Sequence, residues 1–291
     1  MINLIYKLRA DKMRKEWAAG DAVRDAENVF PESVEVKKDI PYGPHGKWNL
    51  LDVNSPKNSN QKLPCIVNFH GGGWFYGTKD LYRFYAADLC TRGFIVVNFN
   101  YRLAPENPFP AAIEDCNAVI TWLTENAAEY NIDLKRTFFA GDSAGGNLVY
   151  HYTTILSNPE FQKKFNFKVP EFMPKAVALN CGDYNIDEQL DDPTIKAYVR
   201  NVKKHLAQIK IKDHVTGNFP PAYVMSAPND FLLPAFDPLI QLLESKGVPV
   251  KSKIYGTKED PAACHVFHLN LKLAIAKECN DDECQFFKSF C

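Results

Sequence analysis

Phe138-Phe139-Ala140-Gly141-Asp142-Ser143-Ala144-Gly145-Gly146-Asn147 is the stretch from which the rest of the chain can be read. An apolar run rich in β-formers stops at Gly141, and a helix-like pattern (Leu148, Val149, Tyr152) begins just after Ser143. Glycines at 141 and 145 frame one hydroxyl, the G-x-S-x-G arrangement of a serine on a tight strand-to-helix turn. Such a turn brings backbone close to backbone, and a Cβ at 141 or 145 would obstruct it. It also sets the Ser143 side chain at a helix N-terminus, where unpaired N–H groups stabilise developing negative charge. A Gly-rich loop capping a helix with serine produces the same pattern, so the motif alone leaves both readings open.

Upstream, Cys65-Ile66-Val67-Asn68-Phe69 is short and apolar enough for a buried strand, and His70-Gly71-Gly72-Gly73-Trp74 follows it directly. Three consecutive glycines let backbone N–H groups turn into a cavity, and beside a nucleophilic serine they can supply oxyanion donors. No Lys-Ser/Thr follows, so a phosphate loop is disfavoured. Phe94 to Phe99 is the next buried strand, and a proline-stiffened loop from Tyr101 to Pro110 precedes a long helix from Ala111 to about Tyr130. Downstream, strands are expected at 176–179, at 222–227 ending on Pro228-Asn229-Asp230, and at 248–255. Pro249 places the last of these at an edge or delays its start. Cys264-His265-Val266-Phe267-His268 lies in the loop after it, with a helix expected over 269–277. At the N-terminus, 34–36 and 48–53 read as strands, and 7–29 reads as one or two amphipathic helices broken or bent at Gly20. Residues 182–219 carry few apolar runs, with a helix expected over 195–206, and read as an insertion over the site. Strands alternating with helices imply a mostly parallel sheet with helices on both faces and function at the strands' C-terminal ends.

Composition narrows the partners. Lys+Arg (34) and Asp+Glu (35) nearly cancel to a net charge of -1, so no basic stripe favours nucleic acid or an anionic membrane. The apolar fraction of 46% supports a substantial core. No run approaches the roughly 18 apolar residues of a membrane helix, and the N-terminal apolar run is too short for a signal peptide. Eight cysteines without a C-x-x-C pair read as reduced, mostly buried thiols of a soluble cytoplasmic protein, with a Cys279–Cys284 pairing under oxidation as the minor alternative. They also lack zinc-ligand spacing, so no metal is expected.

The glycine loop, Ser143 and Asp230 fall at strand ends, and His265 after the last strand. The order nucleophile, acid, histidine is that of α/β-hydrolases. With His70-Gly71-Gly72-Gly73-Trp74, Tyr101-Arg102-Leu103-Ala104-Pro105-Glu106 and Gly141-Asp142-Ser143-Ala144-Gly145-Gly146 in view, the chain resembles the hormone-sensitive-lipase-like group of α/β-hydrolase esterases. That group includes bacterial acetyl esterases and arylacetamide-deacetylase-like enzymes. The resemblance implies an eight-stranded, mostly parallel sheet flanked by helices over 31–291. It also implies a small helical cap made of residues 1–30 and the insertion 182–219. The expected chemistry is hydrolysis of small, short-chain acyl esters through an acyl-enzyme, with no metal or organic cofactor. Ser143 is the expected nucleophile, His265 the general base and Asp230 the residue that orients it. Gly72, Gly73 and Ala144 are the expected oxyanion donors, with Gly71 ranked behind them, and Trp74 is a candidate pocket wall. Asp237 and Asp191/Asp192 are rivals for the acid and His268 for the base. His70 is expected to brace the glycine loop, and Asp142, Arg102, Glu106 and Asp115 to be structural charges. Amide or formamide deacylation, or a catalytically silent small-ligand receptor, are the competing functions. Pairing into a homodimer through edge strands stays open.

Overall fold

The computed structural model describes residues 2–59 and 61–291. Among these, eight strands form one sheet in the order β1-β2-β4-β3-β5-β6-β7-β8. The strands are β1 (Val34–Pro41), β2 (Leu50–Pro56), β3 (Leu63–Phe69), β4 (Ile95–Phe99), β5 (Ile132–Asp142), β6 (Val177–Asn180), β7 (Ala222–Ser226) and β8 (Val250–Ile254). β2 runs antiparallel to both β1 and β4, and every pairing from β4 through β8 is parallel. β8 begins just after Pro249 and lies at the edge, where a residue without an N–H costs least.

The side-chain period of two explains why the inner strands read as unbroken apolar runs. Cys65, Val67 and Phe69 point into one core with Val97, Phe99 and Phe139, while Ile66 points into a second with Val96, Phe138 and Ala140. Helices α2 (Arg83–Thr91), α3 (Ala111–Asn126), α4 (Ala144–Ser157), α8 (Phe236–Ser245) and α9 (Ala274–Lys288) alternate with these strands. The short α5 (Pro159–Gln162) follows α4. Register then levels the carboxyl ends of the central strands: Phe69 sits opposite Gly141, Asp142 opposite Asn180, and Asn180 opposite Met225. The loops after β3, β5 and β7, which hold the glycine run, Ser143 and Asp230, therefore leave the same edge.

Three helical expectations are corrected. Helix α1 (Ile2–Asp25) runs unbroken through Gly20. The helix expected over 195–206 is two, α6 (Pro193–Val199) and α7 (Val202–Ile209), separated where Arg200 adopts φ 54°. Asn201 caps the second by accepting the Lys204 N–H. The last helix does not start at 269. A tight turn occupies 267–269, and α9 extends instead to Lys288. Its buried face, Ala276, Cys279, Asn280, Glu283, Cys284 and Phe287, has helical spacing but includes two polar residues, which conceal it from an apolar pattern. No helix among the described residues is long and apolar enough to cross a membrane. All eight cysteines are free, Cys279 and Cys284 included, and only Cys264 and Cys291 are exposed.

Candidate active site

β5 ends at Asp142 and α4 starts at Ala144, so Ser143 alone makes the turn, at φ 52° and ψ -119°. The helix can start this abruptly because Gly145 has no side chain. A Cβ there would overlap the carbonyl oxygen of Phe69, the last residue of β3. The Ser143 N–H donates to the carbonyl of Asn180 at 2.9 Å, tying the turn to the end of β6. Ser143 Oγ lies 3.0 Å from His265 Nε2, and His265 Nδ1 lies 2.7 Å from Asp230 Oδ1. Asp230 follows β7, and a parallel bridge between Asn229 and Cys264 holds its loop against the one carrying His265.

The Asp230 carboxylate is fully engaged. Oδ1 also accepts the Leu232 N–H at 2.9 Å, and Oδ2 accepts the Ser226 hydroxyl at 2.9 Å. Burial works to raise this carboxyl, but the hydrogen bond and charge of His265 and the Leu232 N–H outweigh it and hold it below the usual range. Phe231, largely exposed, tilts its ring over His265 at 4.3 Å between centroids. The rivals lie elsewhere. His268 is fully buried against Tyr85 with both ring nitrogens unpartnered, and burial pushes it down to about 3. Asp237 is exposed in the first turn of α8, Asp191 pairs with Lys196 on the surface, and Asp192 caps α6. Cys181, Asp230 and His265 have donor atoms within 4.8 Å of one another, a spacing a metal ion could use. The histidine and carboxylate atoms are already spent on each other and on Ser143, and burial raises the thiol well above its usual value.

The glycine loop is fixed peptide by peptide. Tyr101 Oη donates to the His70 carbonyl at 2.9 Å, and its ring stacks on the imidazole at 4.0 Å. His70 Nδ1 lies 2.8 Å from the Gly71 carbonyl, and burial pushes this ring down to about 4, so it is neutral and donates through Nδ1. The N–H groups of Phe75 and Tyr76 donate to the Gly72 carbonyl at 3.1 and 2.9 Å. In a trans peptide the N–H points away from the carbonyl, so holding the carbonyls of 71 and 72 aims the N–H groups of Gly72 and Gly73 the other way. Gly72 at φ 114° adopts a conformation open only to glycine. Gly71 is removed from the set of free donors, because its N–H is taken by Tyr82 Oη at 2.8 Å. Gly72, Gly73 and Ala144 have no protein acceptor among the described residues.

These groups share a cavity of about 670 Å³ with Ser143 and His265. Trp74 lines it, but is only 3% exposed because its ring stacks flat on Tyr198 of α6 at 4.6 Å. The sequence missed most of the remaining wall. Met13, Trp17 and Arg24 of α1 line the cavity, as do Asp183, Gln189 and Ile195 of the 182–219 segment. Arg24 pairs with Asp21 at 2.8 Å, and burial pushes the Asp183 carboxyl up to about 6. Arg102 binds Asp115 through its backbone N–H and guanidinium, as two structural charges would. Glu106, however, reaches back to the N-terminal helix: Arg14 meets both its oxygens, at 3.0 and 2.7 Å, and also donates to the carbonyls of Phe75 and Ala104.

Comparisons with known proteins bear on the fold and the family. A family model described as alpha/beta hydrolase fold matches residues 66–269. Probable carboxylesterase 6 of Arabidopsis thaliana is 44% identical over 122 residues, which are 39% of this chain and only 36% of that relative's length. Probable carboxylesterase 1 of the same plant is 29% identical over 281 residues, 83% of this chain and 82% of the relative. In structure, esterase B of Lactobacillus rhamnosis, inhibited by a tributyrin phosphonate, superposes with a TM-score of 0.92 at 23% identity. That match covers 98% of this chain and 95% of the other.

Proposed function

This chain belongs to the α/β-hydrolase fold family, within its hormone-sensitive-lipase-like carboxylesterases, and from that premise we propose that Ser143, His265 and Asp230 hydrolyse short-chain acyl esters through an acyl-enzyme. Ser143 Oγ attacks the ester carbonyl while His265 Nε2 takes its proton. The carbonyl electron pair moves to oxygen, and the N–H groups of Gly72, Gly73 and Ala144, at the N-terminus of α4, receive that negative charge. The tetrahedral adduct collapses, the C–O bond to the alcohol breaks, and the alcohol leaves with the proton from His265. Water then repeats the sequence on the acyl-serine, giving up its proton to His265 and releasing the acid and Ser143. Asp230 stays ionised throughout and steadies the imidazolium.

The observation that carries this reading is the continuous contact from Ser143 Oγ through His265 to Asp230 Oδ1, at 3.0 and 2.7 Å, on the wall of a 670 Å³ cavity. Residues 1–30 and 182–219 act as the cap in this proposal, since α1 and α6 both supply walls of that cavity. The purified protein is expected to hydrolyse p-nitrophenyl acetate and butyrate, and Ser143→Ala to abolish both turnover and fluorophosphonate labelling. Undiminished turnover by that variant overturns the proposal. Matched anilides, assayed alongside, separate ester from amide deacylation.

A further inference from the structure

Tyr82 stands just before α2 and is 6% exposed. Its phenol oxygen has two partners from two different catalytic loops. It accepts the Gly71 N–H at 2.8 Å and donates to Asp142 Oδ2 at 2.8 Å. Asp142 is the residue immediately before the nucleophile, so one hydroxyl joins the glycine loop to the serine turn. The fit is close enough that a Cβ on Gly71 would overlap both the Asp142 carboxylate and the phenol. Tyr82 and Asp142 both line the cavity that holds Ser143.

The direction of these bonds follows from chemistry. Gly71 can only donate, so Tyr82 must accept there and give its own proton to Asp142. Asp142 is 1% exposed, its Oδ1 is unpartnered, and no cation pairs with it among the described residues. Burial pushes its carboxyl up to about 7, against the hydrogen bond from Tyr82, which holds it down. A buried carboxyl without a counter-ion weakens a fold. Its placement between two catalytic loops gives it a use.

We propose that Tyr82, held by Asp142, is a positioning residue that sets the aim of the Gly72 and Gly73 N–H groups and so acts on the oxyanion rather than on substrate binding. The His70, Gly71 and Gly72 carbonyls are held from other sides, by Tyr101, by His70 Nδ1 and by the Phe75 and Tyr76 N–H groups. Tyr82 supplies the remaining hold on the first glycine. Without it, the Gly71 N–H is left buried and unpaired, and the peptide turns in search of an acceptor. A misplacement of about 1 Å in an oxyanion donor can cost on the order of 10²-fold in rate.

The test rests on the serine-esterase reading and is kept separable from it by the Ser143→Ala assay. Tyr82→Phe is expected to lower kcat on p-nitrophenyl butyrate about 10- to 100-fold with KM within about twofold. Affinity for a trifluoromethyl ketone, which forms a tetrahedral oxyanion on serine, is expected to fall by the same factor as kcat/KM, while affinity for a non-reactive ester analogue is not. A purely structural phenol would move thermal stability without that split. Asp142→Asn keeps an acceptor for the phenol and is expected to lose less than Tyr82→Phe, and the double variant to be no worse than Tyr82→Phe alone. A folded Tyr82→Phe protein with kcat or ketone affinity within twofold of the parent overturns the inference. If Tyr82→Phe does not fold, Asp142→Leu is read instead, with the same expected split and the same overturning result. If Ser143→Ala is dead and Tyr82→Phe is unimpaired, only this inference falls.

Discussion

At Ser143 the backbone sits at φ 52°, ψ -119°, a conformation that side chains with a Cβ adopt only at a cost of about 1–3 kcal/mol. Neighbours enforce it: the Ser143 N–H is held by Asn180, and Gly145 is pressed on the end of β3. Ser143→Gly should therefore abolish turnover yet raise unfolding stability by about 1 kcal/mol, strain relief less the entropy of the added glycine. Ser143→Ala, which keeps the Cβ, should show no such gain, and chemical denaturation of the two variants checks the difference. Residues whose task is stated by their neighbours in sequence were legible. Ser143 between its glycines, His70 before its glycines, and Asp230 and His265 at the ends of their segments are all of this kind. Tyr82 and Arg14 were not, because Asp142 lies 60 residues from the first and Glu106 92 from the second, and nothing around them in sequence marks the meeting. Gly71 was misjudged as a reserve donor because its acceptor, the Tyr82 phenol 11 residues on, belongs to no motif.

Among the elements, α9 shows how a polar residue in a helix's buried face hides the helix and serves the site. Glu283 is fully buried and accepts from Asn180 Nδ2 at 2.6 Å, at the strand end whose backbone carbonyl holds Ser143. Burial pushes the Glu283 carboxyl up to about 7, against the Asn180 hydrogen bond, from an ordinary 4.5. The folded protein therefore keeps a proton that the unfolded chain releases between about pH 4.5 and 7, so stability falls as pH rises through that window. Glu283→Gln keeps an acceptor for Asn180 and cannot ionise. Its stability relative to the parent should grow across the same window, towards about 3 kcal/mol above pH 7, as read from denaturation midpoints at a series of pH values. The parallel strands were readable because their apolar runs are short and bounded. The ends of α6 and α9 were not, because a positive φ at Arg200 and a tight turn at 267–269 come from tertiary packing.

For the molecule as a whole, what the cavity accepts depends on how the N-terminal helix is fastened to the sheet domain. Arg14 makes much of that fastening, joining α1 to Glu106 by a two-pronged pair and to the carbonyls of Phe75 and Ala104, with Tyr76 Oη on Asp21 as a second tie. Arg14→Ala should raise KM for p-nitrophenyl butyrate about fivefold, the order of one good ion pair, with a smaller change in kcat. It should also flatten the dependence of rate on acyl length, measured with a series of nitrophenyl esters from acetate upward. The sheet and the meeting of Ser143, His265 and Asp230 follow from local pattern, whereas much of the cavity wall comes from two segments far apart in sequence and lacking any motif. The bond from Glu283 to Asn180 also fixes an order of events during synthesis. It spans 103 residues, so a chain growing from its N-terminus completes the serine turn early and acquires its brace only once α9 has left the ribosome. His265 too arrives late, so on the proposed mechanism Ser143 has no base beside it until that segment has been made. The proposed chemistry therefore needs contacts spanning 103 and 122 residues, which exist only when the fold is nearly whole.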